Sequence, residues 1–238
     1  EKAAYLNKEA NLNPKIHKMS LCDMQGKRHT EDQIIDVSDR DFFIAASQGK
    51  NFVTEPLVSR LDGHFVITFS VPVYDDNHTI VAVLIATVET KILSDDISNI
   101  VVGKTGYCYI IGPTGTCIGH KDYQFVEKQV NALQLVRSDA SYKDTARFIE
   151  RAMTSTKNEV DYYNFKNIEH ISSFAKMETS QWTVIISAPV EEFTGAVSTL
   201  RITMLAIGVA ILLGALVVVY FIASAVIKPI LTTVNALQ

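Results

Sequence analysis

Arg40 is the residue in this chain best placed for recognition chemistry. It stands in Asp39-Arg40-Asp41-Phe42-Phe43, a guanidinium beside two aromatic rings at the start of a short helical segment. A guanidinium offers paired donors to a carboxylate or a similar acceptor. Phe42 and Phe43 would supply apolar walls. The plainer alternative is a surface arginine paired with Asp39 or Asp41. Residues 65–71 alternate, with Phe65, Ile67, Phe69 and Val71 on one face and Val66, Thr68 and Ser70 on the other. Hydroxyls on an apolar strand suit a pocket wall, and an exposed sheet face is the alternative. Thr87 ends a further apolar strand and completes the candidate binding set of Arg40, Phe42, Phe43, Thr68, Ser70 and Thr87.

Other chemistries lack their parts. Gly103-Lys104-Thr105 has the end of a phosphate loop, but Ser98 stands where the first glycine is needed. Ser173-Phe174-Ala175-Lys176 falls on a strand pattern rather than the helix a penicillin-type nucleophile uses. His17, His29, His64, His78, His120 and His170 are scattered, without metal-ligand spacing to one another or to a cysteine. His120, just after a strand, reads as a hydrogen-bonded loop residue. No catalytic residue, metal site or cofactor is therefore expected. Cys22, Cys108 and Cys117 are too few for a disulfide framework. A two-residue loop at Pro113-Thr114 would oppose Ile110 to Cys117 and Cys108 to Gly119, leaving both thiols free and buried. Asn77-His78-Thr79 reads as turn chemistry.

The elements that must hold these residues come in two rounds. Residues 1–13 suit the last turns of a helix stopped by Pro14, and 18–30 read strand, turn, strand around Gly26. Ser38-Asp39 is the expected N-cap of a short helix ended by Gly49. Strands follow over 52–58, 63–73 and 80–88, the last apolar almost throughout and so expected to be central. After a linker or short helix over 91–100 the pattern restarts. A strand pair over 106–111 and 116–120 turns at Gly115, 89 residues after Gly26. A helix over 141–153 carries Tyr142, Ala146, Ile149 and Met153, and strands cover 159–165, 170–177 and 182–188. Two α+β subdomains are expected, each an antiparallel sheet with helices against it.

Charge is segregated along the 238 residues. Residues 201–238 hold no acid and only Arg201 and Lys228, so the first 200 residues carry a net charge of −6. That balance argues against nucleic acid as a partner. The uncharged run 202–227 would span roughly 39 Å as a helix, more than a bilayer's hydrocarbon core, and excludes an ordinary soluble chain. A helix opens after Pro189 and nothing interrupts it before this run. Lys228-Pro229-Ile230 would start a new helix beyond it. Gly208, Gly214, Ala206, Ala210, Ala215 and Ala223 permit close helix approach, and Ile230, Leu231, Val234 and Leu237 suit one coiled-coil seam, so a homodimer is expected. The chain opens without Met and closes within an amphipathic pattern, and is expected to be a piece of a longer protein.

These residues resemble the double Cache domain of bacterial transmembrane receptors, chiefly methyl-accepting chemotaxis proteins. The resemblance rests on Asp39-Arg40-Asp41-Phe42-Phe43, Ala46, Gly49, Pro56, Gly63 and Pro72-Val73-Tyr74-Asp75 in the first half. In the second it rests on Gly103-Lys104-Thr105-Gly106-Tyr107, Gly115, His120-Lys121-Asp122 and Trp182. Val226-Ile227-Lys228-Pro229-Ile230 resembles the entry to a HAMP relay. The resemblance implies two stacked PAS-like subdomains on an N-terminal helix: residues 1–95 membrane-distal, 96–200 membrane-proximal, 201–227 a transmembrane helix and 228–238 the start of HAMP. It implies a non-enzymatic sensor, with residues 1–200 outside the cytoplasmic membrane and a small metabolite bound in the distal half.

Family members that bind amino acids are similar in an Arg-x-Trp-Tyr string, a later Tyr, and an Asp ending the last distal strand, which offsets the ligand's ammonium. Here the string is Arg40-Asp41-Phe42-Phe43, the Tyr position falls near Leu57, and the Asp position is Thr87. A carboxylate ligand without an essential ammonium is expected, because a buried ammonium without a counter-charge is costly. A histidine kinase or diguanylate cyclase would serve as output as well as a chemotaxis hairpin. The rival classes are a membrane-anchored extracytoplasmic enzyme and a ligand-free structural spacer.

Overall fold

The computed structural model describes the backbone of residues 2–235 and the side chains of these except 196–199, 223 and 225–235. In order, the elements are α1 (Lys2–Leu12), β1 (Lys18–Cys22), β2 (Lys27–His29), β3 (Ile34–Asp36), α2 (Asp41–Ser47), β4 (Phe52–Val53), β5 (Leu57–Val58), β6 (Phe65–Tyr74), β7 (Ile80–Glu89) and α3 (Thr90–Ser98). The second round is β8 (Val101–Val102), β9 (Gly106–Ile111), β10 (Cys117–His120), α4 (Gln124–Glu127), α5 (Ala132–Leu135), α6 (Lys143–Thr154), β11 (Glu159–Phe165), β12 (Ile168–Lys176) and β13 (Thr183–Pro189), followed by α7 (Glu191–Asn235).

Each round builds one antiparallel sheet. The first runs β3-β2-β1-β7-β6-β4, with β5 also on β6, and the second runs β10-β9-β13-β12-β11, with β8 on β9. In both, the opening hairpin leaves its first strand free to pair with the last strand of the round. That last strand, β7 or β13, is therefore flanked on both sides, which is why residues 80–88 are nearly all apolar. Gly26 and Gly115 turn the two opening hairpins at φ +81° and +84°, a region that glycine enters without steric cost.

Three apolar clusters hold residues 1–190 together. The first packs Phe42, Phe43 and Ala46 of α2 against Cys22, Val83 and Ile85 of the first sheet. The second packs Ala146, Phe148, Ile149 and Ala152 of α6 against Tyr109, Tyr163, Phe174 and Ile185. Tyr142 and Met153 lie against it, so the helical stripe read from the sequence is the buried one, with Phe148 added. Fully burying a side chain such as Phe148 contributes about 1.5–3 kcal/mol. The third cluster joins the two sheets, with Ile67 of β6 against Ile97, Cys108, Ile110, Ile118 and Trp182. Polar bonds reinforce that joint: Thr114 donates from its backbone N–H and its hydroxyl to Glu55 Oε1, each at 2.8 Å.

Several local expectations are corrected. The strand expected over 52–58 is two short pieces, β4 and β5, because Pro56 has no N–H to give a ladder. Ser38-Asp39 does not cap α2. Arg40 is the extended N-cap residue and makes no side-chain cap bond, while Ser38 Oγ donates to Asp36 at 2.7 Å and Asp39 is held by Arg60. The β9–β10 turn is wider than two residues, with Gly112 N–H donating to Thr116 O, and a bulge follows Cys117. Ile111, not Ile110, therefore opposes Cys117, and Gly119 opposes Ile110. All three cysteines are free and buried, and burial pushes the Cys22 and Cys117 thiols up to about 12.

Helix α7 forms a unit of its own. The most apolar 18-residue window within its stretch Glu191–Ile222 has mean hydropathy 2.9, and none of that window is buried. It is long and apolar enough to cross a bilayer. It runs through Pro229 to Asn235 without the new start expected there, since one lost backbone bond is absorbed within a long apolar helix. The side chains of the seam residues Ile230, Leu231 and Val234, of Ala223 and of the expected HAMP start, and Leu237 altogether, lie outside what is described.

Candidate ligand site

A hollow lies under α2 on the first sheet, and six elements build it. Thr68 of β6 and Thr87 of β7 stand opposite each other in register and form its floor. Arg40 and Phe42, from the first turn of α2, form one wall. Arg28 of β2, with Ile35 and Val37, forms another, and Leu57, Ser59, Arg60 and Leu61 close it over. The open space inside is about 10 Å³, close to one water's requirement.

The floor follows from strand alternation. Val66, Thr68 and Ser70 point to one face of β6, and that face is buried, so the exposed reading of these hydroxyls is excluded. The odd residue between them, Ile67, faces the cluster that joins the sheets. Thr68 N–H donates to Thr54 Oγ1 at 2.9 Å, and the Thr87 hydroxyl donates to Lys18 O at 3.3 Å.

The electrostatics of the hollow are one-sided. Arg28 is 4% exposed. Its Nε donates to Ser20 Oγ at 2.6 Å, and its Nη2 is buried without a hydrogen-bond partner. Burial lowers its pKa from the ordinary value, yet an arginine keeps its charge. Asp39 could have neutralised Arg40 but grips Arg60 in a bidentate pair at 2.6 and 2.7 Å. The hydrogen bond from Arg60 holds the Asp39 carboxyl below its usual range. No acidic residue lines the hollow.

Of the candidate residues, Arg40, Phe42, Thr68 and Thr87 therefore meet at one place. Phe43 and Ser70 do not line it. Phe43 packs into the α2 core, and Ser70 donates to Phe42 O at 2.7 Å, which fixes the helix on β6. Arg28 escaped the reading of the sequence. Its only signal was a charged residue in a strand as short as Lys27–His29, where charge normally marks a solvated edge.

A match then decides the family. The family model of the Cache domain covers residues 1–197. The chain belongs to the Cache family. This Cache domain is 27% identical over 199 residues to the methyl-accepting chemotaxis protein TlpA of Bacillus subtilis. The match takes in 81% of the chain and 26% of that relative, so the chain spans about a quarter of its length. Among solved structures it resembles the ligand-binding domain of the Pseudomonas fluorescens chemoreceptor CtaA in complex with L-serine. There the TM-score is 0.60 at 18% identity, covering 79% of each chain. It also resembles the extracellular domain of the protein designated histidine kinase rpHK1S-Z16, with TM-score 0.61, 14% identity, and 79% and 76% coverage. These likenesses establish the fold. The chain is thus similar in sequence to part of a methyl-accepting chemotaxis protein, and in fold to ligand-binding and extracellular domains.

A second cavity, about 60 Å³, lies in the second sheet of the Cache domain. Tyr107, Tyr109, His120, Phe125, Tyr142 and Tyr163 are among its walls. His120 stacks on Phe125 with centroids 4.4 Å apart and accepts at Nδ1 from the Asp122 N–H at 2.9 Å. It is hydrogen-bonded as expected, but it ends strand β10 rather than lying in a loop, and burial lowers its pKa. This cavity is roomier than the hollow under α2, but no arginine or lysine lines it, so it lacks the chemistry for an anion.

Proposed function

We propose that this chain is the ligand-sensing and membrane-anchoring region of a bacterial chemoreceptor, and that the hollow under α2 takes a compact carboxylate without an ammonium group. The observation that carries this is Arg28, a buried guanidinium with an unpartnered Nη2, in a hollow with no acid of its own. Asp62 acts on Arg28 only through its field and makes no hydrogen bond to it. A buried cation without a hydrogen-bonded counter-ion is costly, and a ligand carboxylate would relieve that cost on binding. Arg40 would supply a second, more exposed donor, Phe42 a wall, and Thr68 and Thr87 hydrogen bonds to the remainder. Phe43 and Ser70 would position Phe42 and not touch the ligand. CtaA is described in complex with L-serine and Mlp24 with asparagine, which supports a small-molecule site in this fold. Those ligands carry an ammonium, and here Thr87 and an acid-free hollow offer it no counter-charge.

With about 10 Å³ open, the 57–61 segment must swing outward to admit a metabolite. A ligand shifts an equilibrium only by its differential affinity for two states. Strand β6 is suited to sense the difference, because Thr68 faces the hollow while neighbouring Ile67 packs on the second sheet. The displacement would pass through β13 to α7, one residue beyond it in the chain. The kinase likeness leaves a kinase output equally compatible with this sensor.

The membrane reading follows from α7. Residues 1–200 would lie outside the cytoplasmic membrane, with boundaries near residues 95, 200 and 227, and HAMP would begin at 228. Gly208 and Gly214 have open space around them, which suits helix pairing in a homodimer. A reporter enzyme active only in the cytoplasm, fused after Gln238, is expected to be active, and activity only in an extracytoplasmic reporter would reverse the topology.

The site is tested by calorimetry of the whole chain in detergent against a panel of mono- and dicarboxylates and amino acids. Arg40→Ala should weaken carboxylate binding by about tenfold to hundredfold, the equivalent of roughly 1.5–3 kcal/mol for a charged hydrogen bond. Unchanged affinity would remove Arg40 from the site. Tight α-amino acid binding by the native chain, not improved by Thr87→Asp, would overturn the ligand class.

A further inference from the structure

The six histidines are scattered in sequence, yet the fold brings two of them face to face. The rings of His17, between α1 and β1, and His64, before β6, stack with centroids 4.6 Å apart and planes 24° from parallel. Two carboxylates frame them. Asp62 Oδ2 is 2.7 Å from His17 Nε2. Glu89 Oε1, at the end of β7, is 3.0 Å from His64 Nδ1 and 3.3 Å from His17 Nδ1. One donor atom from each of His17, Asp62 and His64 lies within 4.8 Å of the other two.

His17 thus has a carboxylate oxygen at each ring nitrogen. A neutral imidazole donates from only one nitrogen and presents a lone pair at the other. Both carboxylates are satisfied either by an imidazolium, which donates from both nitrogens, or by a neutral ring with a metal cation in place of one proton. Glu89 Oε1 is hydrogen-bonded to His64 Nδ1, which leaves His64 Nε2 as the lone-pair atom. The hydrogen bond of His17 runs between its Nε2 and Asp62, where a divalent ion would take the place of the shared proton. A carboxylate that holds the far nitrogen of a ligating histidine is the usual support of a metal site. We propose that His17, Asp62 and His64 form a binding site for a divalent transition ion of the zinc class, with Glu89 orienting both imidazoles.

The donor set selects the ion. Two imidazoles and one carboxylate suit zinc and its neighbours, whereas calcium and magnesium prefer an all-oxygen shell. Three protein donors leave a fourth tetrahedral position for water. Tetrahedral bonds of about 2.0–2.2 Å set donor atoms roughly 3.3–3.6 Å apart, so His64 must close in while His17 Nε2 and Asp62 Oδ2, 2.7 Å apart, must part slightly. The segment that carries two of the donors has room to shift. Gly63 has nothing within 4 Å of where a Cβ would stand and a φ of +77°, and the His64 side chain is 50% exposed. The same turn supplies Ser59, Arg60 and Leu61 to the hollow under α2, so the ion would stiffen the segment that must open for a ligand.

The test uses the whole chain in detergent, without a histidine tag and stripped by chelator. Zinc chloride is titrated by calorimetry, and Co²⁺ is followed by its visible absorption. One ion per chain is expected, with a Co²⁺ band typical of nitrogen and oxygen ligands. His64→Gln and His17→Gln should each weaken zinc by at least about tenfold, and Glu89→Gln by about tenfold to hundredfold. His64 is exposed, so His64→Gln decides even if His17→Gln fails to fold, provided its metal-free melting matches the native chain. Absence of stoichiometric zinc binding would overturn the site and identify the cluster as a histidine ion pair only. Native affinity in His64→Gln, or preference for Ca²⁺ over Zn²⁺, would equally overturn it.

Discussion

Replacing Arg28 by methionine should abolish carboxylate binding and leave the empty domain at least as stable as before. Removing one partner of a buried, hydrogen-bonded charge pair costs about 2–5 kcal/mol of affinity, or roughly 30-fold to several thousandfold. That exceeds the effect expected for Arg40, which is only half-buried. Stability should move the other way. Arg28 is 4% exposed, with Nη2 unpartnered and Ser20 Oγ as its one side-chain hydrogen bond. Methionine removes the buried charge, and exchanging buried ions for apolar groups is neutral or stabilising by about 1–4 kcal/mol. The cost is a buried Ser20 hydroxyl without its donor, about 1 kcal/mol. Calorimetry and urea unfolding of the same preparation check both halves. A variant that loses stability but keeps its affinity would show that Arg28 is a structural residue.

Gly26→Ala should cost about 2–5 kcal/mol and take ligand binding with it. Alanine at the φ of +81° found here is strained by about 1–2 kcal/mol. Its Cβ would also stand 2.6 and 2.8 Å from the Ser38 Cα and N, backbone atoms that cannot rotate away. Overpacking of that kind adds about 1–3 kcal/mol. The backbone it would displace leads into Arg40, and Val37 N–H donates to Gly26 O at 2.9 Å. The turn at Gly26 therefore sets the spacing between Arg28 and Arg40. Gly115→Ala is the control. Its φ is +84°, but its Cβ would meet Leu133 Cδ1 at 2.8 Å and Met153 Sδ at 3.3 Å, the mobile ends of side chains. About 1–2 kcal/mol is expected there. Urea midpoints of both variants decide; equal losses would show that the Ser38 approach does not constrain α2.

Much of the candidate site was legible in the sequence. Arg40 and Phe42 share the first turn of a helix, and Thr68 shares a strand face with Ser70, so local periodicity alone put them on the right surfaces. Ser70 and Phe43 were misjudged because periodicity gives a face and not a depth. Both lie on the correct face, yet one bonds the helix backbone and the other fills the core beneath it. Arg28 was missed because a charge in a three-residue strand ordinarily marks an exposed edge. Only the closing of Ile35, Val37 and residues 57–61 around it buries it.

What the sequence determined by itself is what short-range physics controls. Alternation and turn glycines specified two rounds of antiparallel strands, the 3.6-residue stripe specified α6, and a long uncharged apolar run specified α7 as a helix fit for a bilayer. Each depends on residues within a few turns of one another. The tertiary structure decided what depends on distant residues meeting. It set Arg28 beside Arg40 in a hollow without acids, gave Asp39 to Arg60, and stacked His17 on His64 between Asp62 and Glu89. Such pairings arise when strands far apart in the chain become neighbours in a sheet, and side-chain spacing along one strand carries no record of its neighbour. The charges and lone pairs that do chemistry are therefore placed by sheet order, while the elements that carry them are written locally.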